Sequence, residues 1–358
     1  MVRTTRTWAP VAMTLAAIVT PSGMSAQDSR GEQFYYPGSF NWSFLETSPE
    51  AARLFNAFDY GHAVLSEVLW TEADAVEASA RLDEEYRFLT TDLLRQPPRF
   101  AVAEEAVAPS YVRSVWRAQA MFHWAHVLHR QLYDVYADEG LSDGEKQSLG
   151  ERITDYYLSS PFAFTAVPKS MALMDDQYYS QSFRAGYARF NGLIWAYHWL
   201  QVGLYEPLIA AGASERGRAM VDEAVARFFG MVDGGASFPS VMPMTPTVAP
   251  TFTMRHPRAA AIFDNLHMMH DIISDILVSP RVPRDRKRDV IYEALDEFQD
   301  PTRNVMSTEA WHAMGEHMGG LAAMGGPPMG PPAPENEEAG HGQMAPGDGM
   351  PDHGGHHE

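Results

Sequence analysis

The chain has no cysteine among its 358 residues. Disulfides, thiolate metal ligation and thiol catalysis are therefore excluded, and so is a haem attached through Cys-x-x-Cys-His. Beyond the first 26 residues no apolar run approaches the roughly 20 residues that a membrane-crossing helix needs. Positive charge is scarce: 27 Lys and Arg face 46 Asp and Glu, a formal net charge of −19. A field of that sign repels nucleic acid and anionic lipid and attracts cations. Glycine-rich phosphate loops and the nucleophile elbow are missing, and strand-type alternation is nowhere sustained.

What is present begins with Arg3 and Arg6, the apolar run WAPVAMTLAAIVT and the small-residue stretch PSGMSAQ. This order describes a signal peptide over 1–26 with cleavage after Ala26, and hence a periplasmic or secreted protein that does not span a membrane. Residues 1–26 hold two arginines and no acid, so 25 basic groups then face 46 acidic ones, a charge of −21.

After an N-terminal extension, 27–47, nearly every segment from 48 to 318 has helical period. Ser48-Pro49-Glu50 starts a helix, Thr71-Glu72-Ala73-Asp74 resembles a capping box, and Ser142-Asp143-Gly144-Glu145 spells one in full. Helices are expected over 49–70, 72–95, 110–138, 143–158, 176–206, 214–231, 257–279, 284–299 and 308–318. This is an all-α bundle of about eight or nine helices. A long loop rich in Pro, Thr and Met, 233–256, is a candidate cover or binding loop. From 319 to 358 the chain turns to Gly, Pro, Met, His and acid, a composition expected to be disordered.

The histidines are the chemistry-bearing residues. At 100° per residue, His129 falls on the apolar face of helix 110–138 with Phe122 and Leu132, and His126 borders it, while His123 turns toward solvent. On 257–279, His270 is central beside Phe263, Leu266 and Ile273, and His267 borders it; Asp264, Asp271 and Asp275 are placed opposite. His62 shares a face with Phe55, Phe58 and Leu65. The helix 176–206 is apolar almost all round, yet carries the polar stripe Tyr187, Asn191, His198, Gln201 and Tyr205.

Two readings stay open. Each histidine taken alone is an ordinary core residue with one hydrogen bond. Inward histidines on four helices instead suggest a shared site, because burying separate titratable rings costs desolvation each time. In that reading His62, His126, His129, His198, His267 and His270 are metal ligands, and Tyr187, Asn191 and Gln201 orient them. Di-iron bundles use Glu-x-x-His pairs; here only Glu309-Ala-Trp-His312 fits, while Asp59-Tyr-Gly-His62 and Asp264-Asn-Leu-His267 place their aspartates outward. All-nitrogen donors suit copper, zinc or a bis-His haem b. The tail holds His341, His353, His356 and His357 with Met324, Met329, Met344 and Met350. Imidazole with thioether favours copper, so the tail is a candidate metal-collecting segment, the alternative being a solubilising extension. The expected function is binding of a transition metal, copper first, with redox chemistry open. The competing expectation is a non-enzymatic interaction module, such as an accessory subunit with an envelope protein partner.

Overall fold

Ser48 precedes a proline in the first helical turn and Ser142 closes a capping box with Glu145, so two of the long helices begin where the sequence marks them. The computed structural model describes residues 34–234 and 237–329; the expected signal peptide at 1–26 lies outside that range. Among the described residues the chain is helical, with one isolated antiparallel bridge between Lys169 and Val305. The long helices are α1 (Pro49–Thr71), α2 (Ala75–Phe88), α3 (Trp116–Ala137), α4 (Asp143–Leu158), α5 (Ala188–Gly203), α6 (Tyr205–Ala211), α7 (Glu215–Val232), α8 (Pro257–Val278), α9 (Lys287–Gln299) and α10 (Thr308–His317). None is long and apolar enough to cross a membrane.

Helix α8 is the axis of the bundle. It packs against α1, α3 and α9 and against the short helices 182–186, 245–248 and 250–255. Helix α5 packs on α1 and α7 and is buried from Phe190 to Gly203. One continuous hydrophobic core joins all of them.

Several expectations are corrected. The helix expected over 72–95 starts at Ala75 with Asp74 as its cap, which accepts from the N–H groups of Val76 and Glu77, and it ends in a π-turn at Leu89–Leu93. The helix expected over 110–138 breaks at Val115, and the one over 176–206 breaks at Tyr187 and again at Leu204. The loop 233–256 contains two short helices, each led by a proline at its first turn (Pro246 and Pro250), and Met242, Met244 and Phe252 are core residues. The extension is packed too: Phe40 and Phe44 are buried, and the N–H of Phe44 donates to Asp134 at 2.9 Å.

Residues 319–329, expected within the disordered tail, are instead packed on the bundle. Met324 is fully buried, the indole N–H of Trp199 donates to the Gly326 carbonyl at 2.9 Å, and Arg227 donates to Gly325 at 2.7 Å. Apolar burial, not metal affinity, accounts for Met324. His341, His353, His356 and His357 lie outside the described residues.

The aspartates placed outward are buried. Asp264 accepts from the Thr245 N–H and hydroxyl and from the Trp311 indole, Asp271 from the Trp195 indole, and Asp275 from the N–H groups of Gln181 and Phe183. Because α8 is enclosed on every side, its acids find donors on neighbouring segments in place of water. The basic stretch after α8 serves the fold as well. Arg284 donates to the carbonyls of Trp70 and Thr71 at the end of α1, and Lys287 to Leu277 at the end of α8, where the helix dipole favours cations.

Candidate metal centre

Helix α1 brings in His62, α3 brings His126 and His129, α5 brings His198, and α8 brings His267 and His270. All six are buried. Their approach depends on a glycine. A Cβ at Gly61 would stand 2.9 Å from Cε2 of Tyr197, so only glycine admits the Tyr197 ring, which stacks on Phe58 at 4.2 Å between centroids. The next residue on each helix is a histidine, and the two meet with Nε2 atoms 3.2 Å apart. Two nitrogens bound to one tetrahedral ion at about 2.0–2.1 Å would stand roughly 3.3–3.4 Å apart, so the separation suits a shared ion.

His270 stacks on His62, with centroids 4.2 Å apart and planes at 13°, and its other neighbour is Phe122, also at 4.2 Å. A ring nitrogen from each of His62, His198 and His270 lies within 4.8 Å of the other two. Around this trio the remaining rings follow in sequence of contact. His126 is 5.8 Å from His270, His267 stacks on His198 at 4.2 Å, and His129 is 5.9 Å from His267. The structure thus gathers the six imidazoles into one cluster with the trio at its centre.

Few of these nitrogens have partners. The Nδ1–H of His62 donates to the Phe58 carbonyl at 2.9 Å. That bond fixes the tautomer and leaves Nε2 as a lone-pair nitrogen, which accepts from His198 Nε2–H at 3.2 Å in the absence of an ion. His129 Nδ1 meets the Tyr205 hydroxyl at 2.9 Å, and its ring lies on Phe263 at 3.4 Å. Both nitrogens of His126, His267 and His270, Nε2 of His129 and Nδ1 of His198 have no hydrogen-bond partner. His126 Nδ1 is 3.2 Å from Asp59 Oδ1 but out of line for a bond. A neutral imidazole carries one N–H, so each wholly unpartnered ring buries an unmet donor and acceptor, at about 1–3 kcal/mol per group. His256, outside the cluster, is buried with its Nε2 against the Tyr136 hydroxyl at 2.7 Å and its Nδ1 unpartnered, so it differs from the rings that lack any partner.

Burial, followed by the charge of His126, lowers the His62 pKa to about 3. Burial likewise holds His126, His129, His198, His267 and His270 well below the ordinary imidazole value, and neighbouring cations or imidazoles add to the effect. All six rings are neutral at neutral pH, the form that coordinates a metal. The trio includes no carboxylate. Asp59, buried and paired with Arg130, faces His126 from outside it.

Of the residues expected to orient the ligands, Gln201 is buried with its amide atoms unpartnered, Asn191 is buried, and Tyr187 is half-buried against Phe183. Among the described residues none of the three is hydrogen-bonded to the six rings. The orienting groups are the Phe58 carbonyl and the Tyr205 hydroxyl. The first lies one helical turn before His62, a backbone partner that side-chain pattern does not reveal. The second closes the polar stripe of Tyr187, Asn191, His198 and Gln201. His123 sits half-buried edge-on to Phe34, outside the cluster. Glu309, His312 and Glu316 are exposed on α10, so the single Glu-x-x-His motif stands apart from the cluster.

Fold and site together define a class: an all-α bundle whose centre is a buried cluster of imidazoles from four helices, with a carboxylate-free trio at its core. No family model, no curated protein and no solved structure matches the chain.

Proposed function

We propose that this protein binds a transition metal ion, copper by preference, through His62, His198 and His270. His126, His129 and His267 complete the coordination or hold alternative positions beside it. The observation that carries this reading is the trio itself: three buried neutral rings with nitrogens within 4.8 Å of one another, amid further nitrogens that the protein leaves unpartnered. Copper is preferred over zinc because the donors are all imidazole and the terminal sequence adds thioether and imidazole, ligands suited to both copper oxidation states. The same terminal sequence, with His341, His353, His356 and His357, is read as a metal-collecting segment. Export, which the first 26 residues suggest, would place the protein where it meets extracellular metal.

A haem b fits this space poorly. The cavity beside His62 and His270 measures about 20 Å³, whereas sites for ligands of that size run to about 300–1,000 Å³.

The test is metal analysis of residues 27–358 and of the same chain with His341, His353, His356 and His357 each replaced by Asn. Stoichiometric copper in both, with nitrogen hyperfine structure in the electron paramagnetic resonance spectrum, is the expected result. Copper lost entirely with the tail substitutions, or a chain that stays metal-free at micromolar copper, overturns the reading and favours a helical interaction module with packed histidines.

A further inference from the structure

Beside the cluster is a cavity of about 20 Å³ whose polar lining comprises His62, His270, Ser66, Ser274, Glu104 and Tyr111, the last with an unpartnered hydroxyl. It has room for one water molecule or one bare ion, since a water needs about 10–15 Å³. The lining grades in exposure. His62, His270 and Ser274 are buried, whereas Ser66 and Glu104 are half-buried. The cavity therefore joins Glu104, on a half-buried residue, to the two stacked imidazoles.

The charges around it are mostly of one sign. Asp59 and Glu105 both act on Glu104, and Arg130 is the cation that opposes them. Burial and these acids make an ionised Glu104 costly without a counterion, and a cation in the cavity would supply one. The two serine hydroxyls offer further oxygen donors along the wall. Ser274 donates its proton to the His270 carbonyl at 3.0 Å, which leaves its oxygen lone pairs available.

We propose that Glu104 is the entry ligand of the metal site: its carboxylate receives an incoming cation, which sheds water in the cavity beside Ser66 and Ser274 and passes to His62 and His270. The inference rests on the reading of the imidazole cluster as a metal centre. It names a residue and a route that the histidine pattern does not contain.

Stopped-flow mixing with cupric ion tests it, using full-length chain that carries the four Asn substitutions in the tail. Chelator-driven release is measured on the same samples, and far-UV circular dichroism checks that each variant is folded. Glu104→Gln is expected to slow loading at least tenfold and to slow release as well, because an entry ligand eases passage in both directions. Glu104→Asp should restore much of the rate, and Glu105→Gln, at the exposed neighbour, should stay within twofold of the parent. Loading of Glu104→Gln at the parent rate overturns the route. Slowed loading with unchanged release overturns it too, since that pattern belongs to long-range attraction alone. Failure of the parent chain to take up copper removes the metal centre and the route together, whereas the other failures remove only the route.

Discussion

Replacing His270 with Phe is expected to stabilise the metal-free protein while abolishing its metal binding. His270 is buried, stacks on His62 at 4.2 Å, meets the Phe122 ring at 4.2 Å with the planes tilted, and has no hydrogen bond to either ring nitrogen. Phenylalanine keeps both ring contacts and removes an unmet donor and an unmet acceptor, a gain of about 1–3 kcal/mol for each group. The added ring volume can expand into the 20 Å³ cavity that His270 lines, which limits the cost of overpacking, itself about 1–3 kcal/mol where no room exists. Even at the lower end of that gain the net expectation is about 1–2 kcal/mol, or roughly 1–2 °C in Tm per kcal/mol for a chain of this size. Thermal denaturation followed by far-UV circular dichroism, with EDTA and then with copper, measures it. In the parent, copper should raise Tm, by about 2.7 kcal/mol of stabilisation at 100 times Kd; in His270→Phe it should not. A metal-free variant less stable than the parent by more than about 1 kcal/mol would refute the argument, because the nitrogens of His270 would then have been satisfied within the protein.

Gly61→Ala should weaken copper binding by at least tenfold in equilibrium dialysis, because the new Cβ meets Tyr197 at 2.9 Å and separates α1 from α5 where His62 faces His198. Asp59→Asn should lower stability by about 3 kcal/mol in urea titration, since it leaves the partly buried Arg130 without its anion. By contrast, Glu72→Gln, which breaks the exposed pair with Arg81, should cost under about 1 kcal/mol. Acid should destabilise the metal-free protein. Below pH 6.5 the unfolded chain protonates its histidines, whereas folded His62 does so only near pH 3 and the other five rings also stay neutral well below 6.5, so this contribution is lost as pH falls. Asp134 and Asp271, raised to about 7, and Asp264 and Asp275, raised to about 6, work the other way between there and pH 3.8. The imidazoles outnumber them, so a pH series of urea midpoints should decline below about pH 6. A series that rises toward pH 4.5 would show the carboxyl groups dominant.

The apolar faces of α1, α3 and α8 were legible because a histidine flanked by Phe and Leu at helical spacing has only one way to turn. That logic placed His62, His126, His129, His267 and His270 inward from local pattern. It misplaced Asp59, Asp264, Asp271 and Asp275, because it treats an acid as a mark of solvent. Each of these acids is buried by a segment far away in sequence, such as Thr245 and Trp311 around Asp264. Helical period gives no notice of such partners. The breaks at Tyr187 and Val115 were likewise hidden, since neither position carries proline and the helical spacing of apolar residues continues across both. Met324 looked like a ligand by composition and is a core side chain by contact. The pairing of Gly61 with Tyr197 could be seen only once α1 and α5 were side by side.

The segment that ends the described chain has a mechanical consequence. Gly325 and Gly326 are tethered to Arg227 and Trp199, and Ala323 to Ser240, and Trp199 directly follows His198. Whatever takes hold of the chain after residue 329 therefore pulls on a cord knotted one position from a central imidazole. Load applied at that end is delivered to α5, so engagement outside the bundle and ring geometry inside it share one physical linkage.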